Sequence, residues 1–154
     1  MPGRTPRHPD GAFDAIRDRV PAALTPAALA GCDAWAAGWQ YLRDGYFWEA
    51  HELWEPVWMA LPAGSPARGL VQAMIQIANA GLKLRMGRPR AVRRLCAMAE
   101  DLLAGGGWRA AAACGASGTE IRAILLRFRA AANLPGSGLR NVQYNAETGE
   151  GAGQ

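Results

Sequence analysis

Apolar residues recur at three- and four-residue intervals through the middle of the chain, which is the spacing of amphipathic helices. Thr25 followed by Pro26 predicts a helix start, because a hydroxyl cap precedes a proline at a position that needs no amide donor. We predict helices from Pro26 to about Gly45, from about Tyr46 to Ala60, from about Pro66 to Met86, and from Pro89 to a stop at Gly105–Gly107.

A fifth helix is predicted near the end of the patterned region, where Ser117 and Glu120 have the spacing of a capping box. A short additional helix is indicated around Phe13 to Val20. No alternating strand pattern of useful length occurs. Because the connectors are short and contain Gly and Pro, the sequence predicts an all-α domain of about five helices, arranged as an antiparallel bundle or as stacked helical hairpins.

The length and composition of the chain predict one folded domain between two polar ends. The 154 residues are enough for a single domain with its own core, and 50% of them are hydrophobic. Residues 1–11 and 135–154 are rich in Gly, Pro and small polar residues. We therefore expect a flexible N-terminal tail, a helical domain over residues 12–134 and a Gly-rich C-terminal tail.

The cysteines and the hydropathy pattern bear on the environment of the protein. Cys32, Cys96 and Cys114 are odd in number and lack a C-x-x-C spacing, which favours reduced structural thiols in a cytosol. No secretory signal is visible, and no apolar stretch is long enough to span a bilayer. These observations predict a cytoplasmic protein that does not enter a membrane.

The formal net charge of +4 raises the question of a nucleic-acid partner. The basic residues concentrate at the predicted junction of the third and fourth helices: Lys83, Arg85, Arg88, Arg90, Arg93 and Arg94. No aromatic residues are interleaved with them and no known binding signature accompanies them. The pattern therefore favours a solvated basic face, and we expect no nucleic-acid partner.

One segment of the second predicted helix places ionisable residues among aromatic ones. At about 100° per residue, an arc of about 120° contains Trp54, Phe47, Trp58, His51, Glu55 and Trp48. Glu49 and Glu52 fall on the opposite side, so we expect them to face water. The i, i+4 spacing places Glu55 beside His51 on the aromatic face.

A carboxylate on an aromatic face costs free energy unless it is paired or coordinated, so the His51–Glu55 pair requires an explanation. Three roles stay open: a structural hydrogen bond, a shared divalent metal ion, and metal-free catalysis in which Glu55 orients His51 as a base. Pro56 adds a further alternative, because it either kinks this helix or makes it stop and restart.

The third predicted helix carries a narrow polar stripe formed by Gln72, Gln76, Asn79 and Lys83. The stripe either faces solvent or faces an interior site. In the second case the amides orient His51 and Glu55, and Lys83 neutralises Glu55. The candidate catalytic residues are then His51, Glu55 and Lys83, and the candidate ligand-binding residues are Trp54, Trp58, Gln72, Gln76 and Asn79.

Three stretches carry a distinctive combination of residues: Leu42-x-x-Gly45-x-Phe47-x-x-Ala50-His51-Glu52-x-Trp54-Glu55-x-x-Trp58, then Gln72-x-x-Ile75-Gln76-x-Ala78, then Gly87-x-x-x-Ala91. Together they resemble domain of unknown function family 309, over about residues 40–103. That family is small, helical, and bacterial or archaeal, with the signature His-x-x-x-Glu-x-x-Trp/Tyr. The resemblance implies a suspected metal-binding motif and no specific activity.

Many sequences of that family place a histidine late in the third helix, where this chain has Lys83. An ammonium group has no lone pair for a metal, so His51 and Glu55 supply two of the three or four ligands that zinc needs. The sequence therefore favours a cluster of Lys83, Glu55 and His51 over a metal site.

Two functional hypotheses follow from these patterns. The first is a ligand-binding or enzyme-like pocket around His51 and Glu55, with a divalent metal as the one cofactor under consideration. The second is a helical protein–protein interaction module, in which the pair is structural and the chain can form a homo-oligomer. The sequence names no reaction, and it does not decide whether the protein is an enzyme.

Overall fold

The computed structural model describes residue 11 and residues 13–135. These residues form seven α-helices and no strand: α1 (Asp14–Asp18), α2 (Asp33–Arg43), α3 (Phe47–Ala60), α4 (Pro66–Arg85), α5 (Pro89–Leu102), α6 (Trp108–Ala113) and α7 (Gly118–Asn133). The predicted all-α class is confirmed, with seven helices where about five were expected. The predicted tails, apart from residues 11 and 135, lie outside the described residues.

The helix predicted from Pro26 to about Gly45 is divided into two elements. Thr25 caps the first of them as expected, since its Oγ1 accepts a hydrogen bond from the amide of Ala28 at 3.3 Å. This element is a 3₁₀ helix over Pro26–Gly31, and Cys32 then adopts an extended conformation, with φ −78° and ψ 119°. The prediction of a single helix was therefore wrong, because the extended residue Cys32 separates two helices although the apolar pattern continues through it.

Helix α5 ends close to the stop that the sequence predicted at Gly105–Gly107, but a further helix follows these glycines. Helix α5 ends at Leu102, a π-helical turn follows over Leu103–Gly107, and α6 begins at Trp108. Gly106 has φ 141°, a conformation that residues with a Cβ rarely adopt. Gly106 therefore redirects the chain into α6, a helix that the sequence pattern did not predict.

Helix α4 is the central element of the fold and packs against α3, α5, α6 and α7. Eleven of its residues are buried, in agreement with its nearly continuous apolar pattern. The approach of α3 depends on Gly81, because a Cβ at that position would lie 2.7 Å from the ring of Phe47. Close packing at Gly81 therefore sets how α3 lies along α4.

Three tryptophans form the aromatic part of the core between α2 and α3. The ring centroids of Trp35, Trp39 and Trp54 lie 5.6–5.9 Å apart. Trp35 Nε1 donates to the carbonyl of Cys114 at 2.9 Å, which ties α2 to the end of α6. Most of the tryptophan-rich pattern therefore builds the core, as clustered aromatic residues commonly do.

The predicted capping box at the start of α7 forms only in part. The amide of Glu120 donates to Ser117 Oγ at 3.2 Å, so the serine cap is confirmed. The carboxylate of Glu120 instead accepts two hydrogen bonds from Arg43, at 2.8 and 3.1 Å. That pair joins the end of α2 to the start of α7.

Two of the three cysteines are buried, and burial changes the pKa of their thiols. Cys32, Cys96 and Cys114 are free thiols, and the last two are buried. Burial raises the pKa of the Cys96 thiol to about 11 and also raises the pKa of Cys114. Within the described part of the chain, no helix combines the length and apolarity needed to cross a membrane.

Candidate functional site

The motif residues lie on α3, which runs without interruption through Pro56. The alternative in which the helix stops and restarts at Pro56 is therefore excluded. The side chain of His51 is 25% exposed and that of Glu55 is 51% exposed, whereas Trp54 is completely buried. The pair accordingly lies at the boundary between the aromatic core and solvent, and the arc predicted from the sequence runs from core to surface.

His51 is held by Asn79 of the polar stripe. Nδ1 of the imidazole lies 2.7 Å from the Oδ1 atom of Asn79. Since a carboxamide oxygen only accepts hydrogen bonds, Nδ1 is the protonated nitrogen and it donates to Asn79. In the neutral ring, the lone pair of Nε2 is then left for a different partner.

The partner that faces Nε2 is the carboxylate of Glu55, whose Oε2 lies 3.5 Å away. A neutral imidazole in this tautomer and a carboxylate both present lone pairs to each other. Such an arrangement is favourable only when a proton or a metal cation lies between the two atoms. The geometry therefore selects the protonated pair or a cation site, and the prediction that Glu55 lies beside His51 is confirmed.

Glu52 also belongs to this cluster, although the helical angles placed it on the far side of α3. One ligand atom from each of His51, Glu52 and Glu55 lies within 4.8 Å of the other two. The expectation that Glu52 faces away was wrong, because a glutamate side chain is long enough to reach back around the helix. The sequence signal for Glu52 is its position directly after His51, since residues 51, 52 and 55 form an i, i+1, i+4 set of possible metal ligands.

Glu49 differs from its expected position as well. Its side chain is only 3% exposed, so the prediction that it meets water is wrong. Its negative charge raises the pKa of Tyr41, adding to a larger effect of burial. Burial lowers the pKa of Arg85, and Glu49 opposes that shift. Glu49 thus lies among charged and phenolic groups at the start of α3 and is the one buried charged residue in the described part of the chain.

The polar stripe of α4 borders α3 along its length. All four of its residues are partly buried, which fits neither a fully solvated strip nor a sealed interior site. The contacts of Asn79 with His51 and of Gly81 with Phe47 show that the two helices run in opposite directions. The stripe therefore faces the edge of α3 that carries the motif.

The two contacts between α3 and α4 also define which residue of the polar stripe lies level with which residue of the motif. Gln76 lies level with Glu55, one turn along from the His51–Asn79 contact. Lys83 lies one turn in the other direction, level with the start of α3. Among the described residues Lys83 forms no ion pair with Glu55, so the favoured cluster of lysine, glutamate and histidine does not form.

The two tryptophans proposed as ligand-binding residues have different surroundings. Trp54 Nε1 donates to the carbonyl of Trp35 at 3.1 Å, and its ring packs inside the core. Trp58 is partly exposed, and the guanidinium of Arg68 stacks on its ring at 4.5 Å. Trp54 therefore packs in the core beneath His51 and Glu55, while Trp58 forms the surface on which Arg68 stacks.

Two clefts of the described surface lie away from His51 and Glu55. One, of about 390 Å³, is formed by the start of α4 together with residues 101–107. Another, of about 410 Å³, lies between residues 16–24 and residues 28–34. The hypothesis of a pocket centred on His51 and Glu55 gains no support from them. Gln72 is the one candidate residue that lines either cleft.

The six basic residues around the α4–α5 junction do not form one exposed patch. Arg85 stacks on Phe47 at 4.4 Å, and Arg93 donates to the carbonyl of Ala132 at 3.2 Å. These two side chains are therefore used within the fold. The structure gives no feature that favours a nucleic-acid partner over a solvated face.

Comparison with known proteins supports the resemblance seen in the motif. No curated protein and no solved structure matches the chain. The model of a family described as Domain of unknown function (DUF309) matches residues 35–95, a segment that runs from α2 into α5 and contains the three signature residues. Over residues 35–95, the chain is therefore similar to the family described as Domain of unknown function (DUF309), as the motif indicated.

Proposed function

We propose that this domain binds a divalent metal cation at the edge of α3, through His51, Glu52 and Glu55. The observation that carries this proposal is the contact between Nδ1 of His51 and Oδ1 of Asn79, at 2.7 Å. It leaves the Nε2 lone pair of the neutral ring beside the Glu55 carboxylate, and two such lone pairs are held together favourably by a proton or by a metal cation between them.

The donor set fits a metal better than the sequence suggested. With Glu52 included, three side chains supply one imidazole nitrogen and two carboxylates within 4.8 Å of one another. Three protein ligands are the number found in catalytic zinc sites, and this mixture also suits manganese or iron. Glu52 therefore supplies the third ligand, which Lys83 cannot provide.

The residues around the cluster supply the support that metal ligands commonly have. A metal-bound histidine usually donates its other ring N–H to an oxygen acceptor, which fixes the tautomer and the ring orientation, and Asn79 provides that acceptor. Gln76 lies level with Glu55 on the same stripe. When bound, a cation held by three protein ligands keeps open positions at which it can polarise a further ligand.

The interaction-module hypothesis receives less support from the aromatic residues. Of the six tryptophans, Trp35, Trp39 and Trp54 are buried and two others are partly buried. Trp48 alone is exposed, at 39%. Because the tryptophans build the core and do not form a contiguous surface patch, they count against a partner surface based on them.

Calorimetric titration of tag-free, chelator-treated protein with Zn²⁺ and Mn²⁺ tests the proposal. We expect one site per chain, with binding weakened at least about tenfold by His51→Ala, Glu52→Gln and Glu55→Gln, since each removes one of three ligands. Asp18→Asn, which alters an exposed carboxylate of α1 outside the cluster of His51, Glu52 and Glu55, is the matched control and should bind as the parent does. Binding that is absent, or that is equal in all variants, would overturn the proposal.

A further inference from the structure

The cleft at the start of α4 has a volume in the range of small-molecule sites. Its volume is about 390 Å³, within the range of about 300–1,000 Å³ common for ligand pockets. Glycines form much of its wall, and a Cβ at Gly107 would come within 3.3 Å of the carbonyl of Leu102. The wall therefore exposes backbone, and α4 can approach the turn after α5 closely.

Arg68 lies in this cleft in a fixed orientation. One face of its guanidinium stacks on Trp58 at 4.5 Å, and NH1 donates to the carbonyl of Leu61 at 2.9 Å. Its remaining N–H groups have no hydrogen-bond partner among the described residues. A guanidinium held in this way is already oriented to bind a carboxylate, and less conformational entropy is lost on binding.

Two further polar side chains line the same cleft without protein partners. Asp101 is exposed and Gln72 is half-buried, and neither has a hydrogen bond or an ion pair within residues 13–135. Asp101 and Arg68 carry opposite charges in one cleft and nevertheless do not pair. Within the described part of the chain, both charged groups are therefore unpaired on the wall of one cleft.

We propose that this cleft binds a small zwitterion of the free amino acid class, with its carboxylate on Arg68 and its ammonium on Asp101. The amide of Gln72 can donate to the first group or accept from the second. A ligand with only a negative charge would be repelled by Asp101, and one with only a positive charge by Arg68. The charges of the cleft therefore favour a zwitterion over either singly charged relative.

This site is separate from the cation site on α3, because none of its lining residues is His51, Glu52 or Glu55. Trp58, the third residue of the family signature, gains a role here as the surface on which Arg68 stacks. The signature would then serve two sites, with His51 and Glu55 at one and Trp58 at the other.

Amide NMR titration of the full chain with each of the standard free L-amino acids tests the proposal. For the amino acid that binds most tightly, the decarboxylated amine and the corresponding acid without the amino group are titrated in parallel. We expect the amides of Gly69, Gln72, Gly105 and Gly107 to shift, with both relatives binding at least about tenfold more weakly. No shift of these amides with any amino acid at its solubility limit would overturn the proposal, as would equal binding of the amine or the acid.

A variant of Asp101 tests whether amino acid binding depends on the charges of this cleft. Asp101→Asn is the first choice, because this exposed side chain has no ion pair whose loss would disturb the fold, and we expect it to weaken amino acid binding at least about tenfold. Arg90→Gln, at an exposed arginine outside the cleft, is the control and should have no effect. His51→Ala should also leave amino acid binding unchanged, which separates this proposal from the cation site. Unchanged binding in Asp101→Asn would contradict the assignment.

Discussion

The imidazole of His51 on α3 and the carboxamide of Asn79 on α4 meet at 2.7 Å and form the one side-chain hydrogen bond between the signature helix and the polar stripe in the described part of the chain. The contact has two consequences. It fixes which ring nitrogen of His51 carries the proton, and it brings the edge of α4 to the carboxylates of α3. The contact between α3 and α4 therefore orients His51 toward the carboxylates, and it involves Asn79, which lies outside the signature.

Substitution of Asn79 should change both the tautomer of His51 and its affinity for metal. In Asn79→Ala the acceptor for Nδ1 is lost, so we expect the population with a protonated Nε2 to rise and the metal affinity to fall by about 10–100-fold. Nitrogen-15 NMR of the imidazole reports the first change, and calorimetric titration with Zn²⁺ reports the second.

Gln76→Ala is the matched control for that experiment, because Gln76 lies one turn away on the same stripe and makes no hydrogen bond to His51. It should leave the tautomer of His51 unchanged. If Asn79→Ala also kept the parent tautomer and metal affinity, the hydrogen bond would be a packing contact with no part in the site.

Packing at Gly81 should be sensitive to a single methyl group. A Cβ there would lie 2.7 Å from the Phe47 ring, so Gly81→Ala forces α3 and α4 apart or displaces the ring. We expect the free energy of unfolding to fall by about 1–3 kcal/mol, as overpacking of a core commonly costs. Denaturant unfolding followed by tryptophan fluorescence measures the change.

Gly31→Ala provides the comparison for Gly81→Ala, since no atom lies within 4 Å of a Cβ at position 31. Its free energy of unfolding should stay within about 0.5 kcal/mol of the parent value. Equal stability of the two variants would show that the closeness of Phe47 to Gly81 places no constraint on the fold.

The sequence predicted the helical class and most helix starts, because these depend on local signals. Thr25, Ser117 and the prolines at 66 and 89 mark helix starts whatever the rest of the chain does. The break at Cys32 and the turn at Gly106 were not predictable in the same way. Both depend on where the following helix packs, since the apolar pattern continues through Cys32 and three consecutive glycines predict only the end of a helix.

For the site, the sequence predicted the pairing of His51 with Glu55 and offered the amides of the polar stripe as partners of His51, but it misplaced Glu52 and Lys83. A helical wheel gives the direction of a Cα–Cβ bond and takes no account of side-chain length, which is why Glu52 was assigned to the wrong side. The position of Lys83 depended on the register between α3 and α4. That register is set by the contact of Phe47 with Gly81, a tertiary feature that periodicity does not reveal.

The thiols should differ in reactivity in the native protein. Burial raises the pKa of Cys96 to about 11 and also raises that of buried Cys114, whereas Cys32 is only partly buried. Because the thiolate is the nucleophile, we expect iodoacetamide at pH 8 to modify Cys32 first, and the other two only after unfolding. Mass spectrometry of the labelled peptides identifies the sites.

The difference in reactivity between Cys32 and Cys96 should persist as the pH rises, until the pH approaches the pKa of Cys96. Between pH 8 and pH 10 the native Cys96 stays mainly protonated, since its pKa of about 11 lies above that range. In the same range the unfolded thiol, with its ordinary pKa of 9.0, becomes largely ionised. Rapid modification of Cys96 in the folded protein at pH 8 would contradict the burial of this side chain on α5.

The most direct test of the cation site is elemental mass spectrometry of the tag-free protein and its His51→Ala variant, each dialysed against Zn²⁺ or Mn²⁺ and then freed of unbound metal. The proposal predicts close to one metal ion per chain in the parent protein and almost none in His51→Ala, with both proteins equally folded by circular dichroism. Metal that is absent from the parent, or retained in the variant, would show that His51, Glu52 and Glu55 do not form a metal site.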